Sequence, residues 1–327
     1  MSTVSIKVIS WNMGESINKI ENWDNELEQW DVINNGEDII FITLQEATDE
    51  IGRNVFFQAL NKKLKNYTIY QDSEGSNVPT ITFHVFGFVC IKDGVNVNRI
   101  PYVGSGHPSV SSTCIYKYYV CTKPSQGFGL IVNGKKIIFI GSHFPVNTND
   151  KLTYGLQERI EAIKKVKEEV IKNIANSLGG VDTIIWAGDM NFRIQSDGTE
   201  QLDTLLKGSI ELKEYNEFTK NFQPTCRFKE FDDNVEYDKF TKDRQYDDKR
   251  IPSYCDRIIY KGNFIPIDYY SYPKDKSKYP KSIAYSDHEP VVLEGYISTS
   301  MKGGDGMSGH YKHKYYKYKS RYLSLKV

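Results

Sequence analysis

Apolar residues recur along this chain in two rhythms. Short runs rich in Ile, Val and Phe occupy residues 4–11, 39–44, 83–91, 136–144, 183–186 and 257–260. Their length and their β-branched and aromatic content predict strands. Their near-continuous apolar character predicts sheets covered on both faces. Over residues 156–178 the period changes. Leu156, Ile160, Ile163, Val170, Ile171 and Ile174 recur at helical spacing with Glu and Lys between them. This stretch predicts a helix, stopped by Gly179-Gly180. Residues 18–34 carry a weaker helical pattern. Residues 230–250, dense in Asp, Lys and Arg, read as a solvated loop. Strands with helices interspersed predict an α/β layered domain.

Composition narrows the picture. The 327 residues suffice for one large domain or two ordinary ones, and an aromatic content of 13% supplies material for a core. The formal net charge of zero hides an asymmetry. Residues 301–327 hold seven Lys and Arg and one Asp, which leaves 35 basic against 41 acidic residues in 1–300. A mildly acidic body therefore carries a basic tail. Cys90, Cys114, Cys121, Cys226 and Cys255 are scattered without zinc-site spacing and read as free thiols in a reducing compartment. The N-terminus lacks the pattern of a signal peptide, and no apolar run approaches the roughly 20 residues of a membrane span. The expected location is cytoplasmic, with possible peripheral membrane contact.

Polar residues of chemical use stand at the ends of four expected strands. Residues 4–11 run into Asn12, and 39–44 into Gln45-Glu46. Ser142-His143 lies near the end of 136–144, and 183–186 runs into Gly188-Asp189-Met190-Asn191. A fifth cluster, Ser286-Asp287-His288, precedes Val291-Val292. Loops at strand ends are where sites assemble in layered folds. Phosphoester hydrolysis needs such a set: a carboxylate to deprotonate water, and a hard cation with His and Asn donors to stabilise phosphoryl charge. Each element alone is a weak signal; a Gly-Asp-x-Asn segment is also a common turn.

The series Trp11-Asn12, Leu44-Gln45-Glu46-Ala47, Gly141-Ser142-His143-Phe144, Trp186-Ala187-Gly188-Asp189-Met190-Asn191-Phe192-Arg193 and Ser286-Asp287-His288 resembles the endonuclease/exonuclease/phosphatase superfamily. Phe222-Gln223-Pro224-Thr225-Cys226-Arg227-Phe228 and Lys249-Arg250-Ile251-Pro252-Ser253-Tyr254-Cys255-Asp256-Arg257-Ile258 narrow the resemblance to the inositol polyphosphate 5-phosphatases. It spans residues 5–295. It implies a four-layer α/β sandwich, two mixed β-sheets packed together and flanked by helices, with one Mg2+. Glu46 and Asn12 would be the metal ligands. Asp189 would activate the attacking water and Asn191 would orient it. His143, and His288 held by Asp287, would contact the scissile phosphate. Arg227, Lys249, Arg250 and Arg159 would bind substrate phosphates, with a solvated helix face as the alternative for Arg159. Cys255 and Asp256 are read as bracing residues of their loop and strand.

Three positions depart from the family pattern. Cys226 stands where the family has Tyr, Asn147 where it has a second His, and Gln126 where it has Lys. The reaction is therefore better specified than the substrate. The expected partner is an inositol phosphate or a phosphoinositide.

The tail forms its own problem. Residues 1–297 read as the catalytic domain, 298–309 as a Gly-rich linker and 310–327 as a basic module. Tyr311, Tyr315, Tyr318, Tyr322 and Leu325 fall on one helical stripe, with Lys and Arg on the remainder. That pattern suits an anionic membrane surface, although two heptads are too short for a stable isolated helix. Two alternatives stand beside the phosphatase reading: a nuclease or other phosphodiesterase of the same superfamily, and a phosphoinositide-binding module without catalysis. The acidic body disfavours nucleic acid.

Overall fold

A computed structural model describes residues 3–34, 36–47, 49–71, 85–99, 125–146, 155–195, 197–242, 244–276 and 278–298. Among them the strands are β1 (Thr3–Asn12), β2 (Ile39–Gln45), β3 (Tyr67–Gln71), β4 (Val85–Lys92), β5 (Val97–Arg99), β6 (Ser125–Val132), β7 (Lys135–His143), β8 (Thr183–Asp189), β9 (Asn216–Glu217), β10 (Asp256–Gly262), β11 (Phe264–Ser271) and β12 (Val291–Ser298). The helices are α1 (Trp23–Gln29), α2 (Glu50–Lys63), α3 (Leu156–Lys165), α4 (Lys172–Leu178), α5 (Gln201–Gly208), α6 (Tyr237–Lys242) and α7 (Lys281–Ala284).

The strands form two six-stranded sheets, ordered β11-β12-β1-β2-β4-β3 and β5-β6-β7-β8-β10-β9. Each is mixed. β1 and β2 run parallel in the first, β7 and β8 run parallel in the second, and the other pairings are antiparallel.

Alternation along the strands explains the layering. Val4, Ile6 and Val8 of β1, Ile39 and Phe41 of β2, Ile137 and Phe139 of β7, and Ile185 and Ala187 of β8 share one core between the sheets. Their neighbours face the other way. Ile9, Trp11, Ile40 and Ile42 pack with Trp23 and Leu27 of α1 and Phe56 and Leu60 of α2. Ile138, Ile140, Ile184 and Trp186 pack with Ala162 and Ile163 of α3 and Ile174 and Leu178 of α4. Both faces of each sheet are thus apolar, which produces the near-continuous runs in the sequence. Each buried side chain of this size stabilises the fold by roughly 1.5–3 kcal/mol. The result is the expected four-layer sandwich.

The same parity carries chemistry to the site. Asn12 follows Val8 on the inward face of β1, His143 follows Phe139 on β7, and Asp189 follows Ala187 on β8. Each pair is an even number of positions apart, so each polar side chain continues the inter-sheet face. Asp256, opposite Asp189 in the β8–β10 ladder, precedes inward-facing Ile258 by two residues. The sheets approach closely here: a Cβ on Gly141 would lie 2.3 Å from Thr43 Oγ1 of the opposite sheet.

Some elements differ from expectation. The helix over 156–178 is helical throughout but contains a π-type turn, Val166–Ile171, and ends at Gly179 with φ 67°. The pattern over 18–34 yields only α1, capped by Asn22, whose side chain accepts the Asn25 N–H at 3.1 Å. The 14-residue α2 has no counterpart in the sequence reading. Its buried stripe is short (Phe56, Ala59 and Leu60), while Ile51 and Val55 are exposed, so its apolar period is blurred. Residues 230–250 are not simply a solvated loop. Phe231, Phe240 and Tyr246 anchor them, Tyr246 stacking on Phe228 at 4.4 Å. In β12, Glu294 and Gly295 interrupt the apolar run beyond Val291-Val292. Glu294 pairs with Lys7 at 3.4 Å, and Gly295 leaves room for the Phe264 ring. Residues 83–84, Asn147, Cys114, Cys121, residues 299–309 of the linker and the tail 310–327 lie outside the described residues.

Candidate active site

A cavity of about 710 Å³ opens between the two sheets at the ends of β1, β2, β7 and β8. Asn12, Glu46, His143, Asp189, Asn191, Arg227, Arg250, Asp287 and His288 all line it. These residues come from sequence positions up to 276 apart, so their convergence is a product of the tertiary fold. Three of the four non-glycine residues with positive φ among the described residues (Glu15 at 60°, Glu46 at 56° and Asn191 at 52°) also line this cavity. Such backbone is costly and concentrates at functional sites.

Asp189 is the hub. Its Oδ1 accepts the Asn191 N–H at 2.9 Å, and its Oδ2 accepts from Asn12 Nδ2 at 2.9 Å. His143 Nε2 stands 3.3 Å from Asp189 Oδ2 and 3.5 Å from Glu46 Oε1. Asn191 is fixed from both ends: Nδ2 donates to Phe144 O at 2.8 Å, and Oδ1 accepts from Arg193 Nη2 at 2.6 Å. Gly188 supplies the tight approach this strand end needs, with φ 152° and a Cβ position only 1.9 Å from Ser142 O.

His288 is held differently from the sequence expectation. Its Nδ1 meets Asp256 Oδ2 at 2.7 Å, whereas its Nε2 lies 3.8 Å from Asp287 Oδ1. Asp256, not Asp287, is therefore the orienting partner. The reason is register: antiparallel pairing with β8 places Asp256 directly beside Asp189. Thr225 Oγ1 donates a second bond to Asp256 Oδ2 at 2.8 Å. Burial pushes the Asp256 carboxyl up to about 6, against the opposing pull of His288. Burial works against a charged His288, but Asp256 and Asp287 outweigh it and hold the ring well above the usual imidazole range. The loop bearing His288 is tied to β1 through Ser286, whose Oγ donates to Asn12 O at 2.6 Å and accepts the His288 N–H at 3.0 Å.

The four expected phosphate-binding cations separate. Arg227 and Arg250 line the cavity; Arg227 Nη1 lies 3.6 Å from Asp287 Oδ2. Lys249 does not line it. Its side chain is 77% exposed and pairs with Asp247 at 3.7 Å. Arg159 does not line it either, nor is it solvated. It is fully buried under α3, donating to Gln201 Oε1 at 2.7 Å and Pro145 O at 3.2 Å. One turn before buried Ile163, Arg159 packs into the segments that follow β7 and β8, its guanidinium 5.4 Å from the Phe192 ring. Burial, with Arg193 nearby, lowers its pKa to about 10.

Sequence reasoning missed Arg193 as the anchor of Asn191 and Asp256 as the anchor of His288. Both lie inside segments that the sequence marked, but a pairing across strands has no local signature. The bracing assigned to the 252–257 segment falls mainly on its Arg. Arg257 is buried and bonds Glu200 and Asp203 at 2.9 Å each and both carboxylate oxygens of Glu217, tying β10 to α5 and β9. Cys255 is fully buried, with Sγ 3.8 Å from Phe192 O.

The donor set at the inner end of the cavity suits a hard cation. Glu46 Oε1 and Asp189 Oδ2 converge on one ring nitrogen of His143, and Asn12 stands beside them, its Nδ2 donating to Asp189 Oδ2 and its Oδ1 accepting the Gly14 N–H. One or two carboxylates completed by water and substrate oxygens are what magnesium prefers.

The model of the Endonuclease/Exonuclease/phosphatase family 2 matches residues 9–294. The chain belongs to this family. Among its relatives, synaptojanin of Caenorhabditis elegans is 26% identical over 196 residues, 56% of this chain and 16% of that protein. Phosphatidylinositol polyphosphate 5-phosphatase type IV of Rattus norvegicus is 29% identical over 197 residues, 52% of this chain and 28% of that protein. The chain thus spans less than a third of either relative. The crystal structure of the inositol polyphosphate 5-phosphatase domain of SpSynaptojanin, in complex with inositol (1,4)-bisphosphate and calcium ion, superposes with a TM-score of 0.61 at 20% identity. That match covers 90% of this chain and 84% of that one. It shows the family's fold; the chemistry must be argued from the residues.

Proposed function

We propose that this chain is a phosphoric monoester hydrolase that removes the 5-phosphate of an inositol phosphate or phosphoinositide in a magnesium-dependent reaction. The observation that carries the reading is the convergence of Asp189, Asn191, His143, Glu46 and the Asp256–His288 pair in one cavity that also holds Arg227 and Arg250. The names of the relatives supply the substrate class.

Glu46 and Asn12 would hold the magnesium ion, which when bound stabilises charge on the phosphoryl oxygens. Asp189 accepts the proton of the attacking water. Its two oxygens are held by Asn191 and Asn12, so its lone pairs are directed and not free to rotate. Asn191, itself clamped by Arg193, orients that water. His288, whose protonated form Asp256 favours, and His143 donate to the non-bridging oxygens as negative charge grows there. The water oxygen bonds to phosphorus, the phosphorus–inositol oxygen bond breaks, the departing oxygen takes a proton from solvent to become an inositol hydroxyl, and Asp189 releases its proton to solvent with the inorganic phosphate. Arg227 and Arg250 receive further phosphates of the substrate. Lys249 and Arg159 take no part in this scheme.

The test is phosphate release from a panel of phosphoinositides, soluble inositol phosphates and oligonucleotides, with and without magnesium. The proposal expects magnesium-dependent release from 5-phosphorylated inositides, abolished in Asp189→Ala. Cleavage of oligonucleotides without inositide turnover would replace it with the nuclease reading. Binding without turnover would replace it with the binding-module reading.

A further inference from the structure

Cys226 lines the same cavity but has no part in the reaction just described. It stands next to two other metal-binding side chains: one ligand atom each from Cys226, Asp287 and His288 lies within 4.8 Å of the other two. The side chains also touch protein partners, Cys226 through Arg193 and Asp287 through Arg227, and their orientation leaves room for an ion among them. His288 turns Nδ1 into Asp256 at 2.7 Å, so its other nitrogen, Nε2, is the one presented to the cluster. Asp287 divides its carboxylate, with Oδ2 toward Arg227 at 3.6 Å and Oδ1 toward His288 Nε2 at 3.8 Å. That second separation is too long for a hydrogen bond. It is close to the ~3.3 Å between two ligands that each sit about 2.0 Å from a tetrahedral zinc ion.

We propose that Cys226, Asp287 and His288 form a second metal site, selective for a thiophilic divalent cation such as zinc. The donor chemistry separates this site from the magnesium position at Glu46 and Asn12. Thiolate and imidazole select zinc, whereas magnesium takes oxygen donors. Asp256 completes a carboxylate–histidine–metal arrangement, which fixes the ring and raises its basicity as a ligand. The hydrogen bond with Cys255 and burial hold the Cys226 thiol well above its usual range, against the pull of Arg193 Nη1 at 3.7 Å from Sγ, so the metal must displace the thiol proton. On binding, the ion replaces the thiol proton and the proton on His288 Nε2, and both protons leave to solvent. Three protein ligands leave a fourth tetrahedral position open toward the cavity.

One consequence rests on the function proposed above. His288 bound to zinc can no longer donate to the scissile phosphate, so zinc inhibits the magnesium-dependent reaction. The site itself does not depend on that reading.

Cobalt(II) reports the site without reference to activity, because a thiolate ligand gives it a charge-transfer band in the near ultraviolet. The full chain, reduced and in excess magnesium, is titrated with cobalt chloride. The expected result is a thiolate-to-cobalt band saturating at one equivalent and displaced by zinc. The band disappears in Cys226→Ser and persists in Cys255→Ser. Asp287→Asn keeps the band but weakens cobalt binding by about 10–100-fold, which tests the site independently should Cys226→Ser fail to fold. Asp189→Ala keeps the band while losing phosphate release. A band that survives in Cys226→Ser, or no band in the unaltered chain, overturns the proposal. A band in a chain that releases no phosphate from any inositide leaves the metal site standing and sinks the phosphatase reading. With activity present, half-inhibition by zinc in Cys226→Ser should need at least about 10-fold more metal.

Discussion

At the scale of single residues, the side chain that most alters the picture is Asp256. Burial opposes a charged His288, but Asp256 and Asp287 outweigh it and hold the ring well above the usual imidazole range. A group whose pKa is raised in the fold stays protonated until the pH climbs through that raised value, so activity that depends on it is lost on the alkaline side. Removing the Asp256 charge lowers that value. Asp256→Asn should therefore reduce kcat by about 100-fold or more with a smaller change in KM, and move the alkaline limb of the kcat profile to lower pH. An unchanged alkaline limb would exclude the orienting role. The cations make a second contrast. Arg227→Ala should raise KM for a polyphosphorylated inositide by roughly 10–100-fold, the scale of a charge-assisted hydrogen bond. Lys249→Ala, out on the surface beside Asp247, should leave KM within about 2-fold. Equal effects of the two in steady-state kinetics would contradict the geometry.

At the scale of elements, strand ends do two jobs. The inward parity of β1, β7 and β8 packs the inter-sheet core and then delivers Asn12, His143 and Asp189 to the cavity. The Gly188–Asp189 step is where the two jobs meet. A side chain at Gly188 would collide with Ser142 O across the parallel β7–β8 pair and would force an unfavourable φ. Gly188→Ala should cost roughly 2–4 kcal/mol in chemical denaturation, and the surviving folded fraction should still lose activity because Asp189 is displaced. Wild-type stability in this variant would mean that the ladder accommodates the Cβ. The sequence marked these strand ends because their apolar runs are buried on both faces and so stand out. It did not mark α2 or β12, where Ile51 and Val55 face solvent and Glu294-Gly295 break the run.

For the whole molecule, the site lies between two sheets that are built from separate parts of the chain. A ligand that bridges Glu46 of one sheet and groups of the other should bind the folded state alone. Saturating magnesium at about 10 times its Kd should then stabilise the fold by about 1.4 kcal/mol. Glu46→Gln should remove most of that gain, and EDTA should abolish phosphate release without unfolding the chain. These outcomes are read from melting curves with and without magnesium. Equal shifts in Glu46→Gln would mean that the ion binds elsewhere. Among the described residues no helix is long and apolar enough to cross a membrane. The contribution of the basic tail is testable by comparing phosphoinositide vesicles with soluble inositol phosphates.

The sequence alone determined the layered α/β class, because strand burial on both faces writes itself as unbroken apolar runs. It also determined the chemical vocabulary at Asn12, Glu46, His143, Asp189, Asn191 and His288, because each lies at or just beyond a strand end, or in the loop before a strand, in a recognisable segment. Tertiary structure alone decided the pairings: Asp256 with His288, and Arg193 with Asn191. It also decided that Arg159 is buried and Lys249 exposed. Parity and hydrophobicity are properties of neighbours in the chain, so a sequence displays them. A hydrogen bond between residues 32 positions apart, such as Asp256 to His288, depends on strand register and on how two sheets meet, and only the folded arrangement of β8, β10 and the 286–288 loop fixes it.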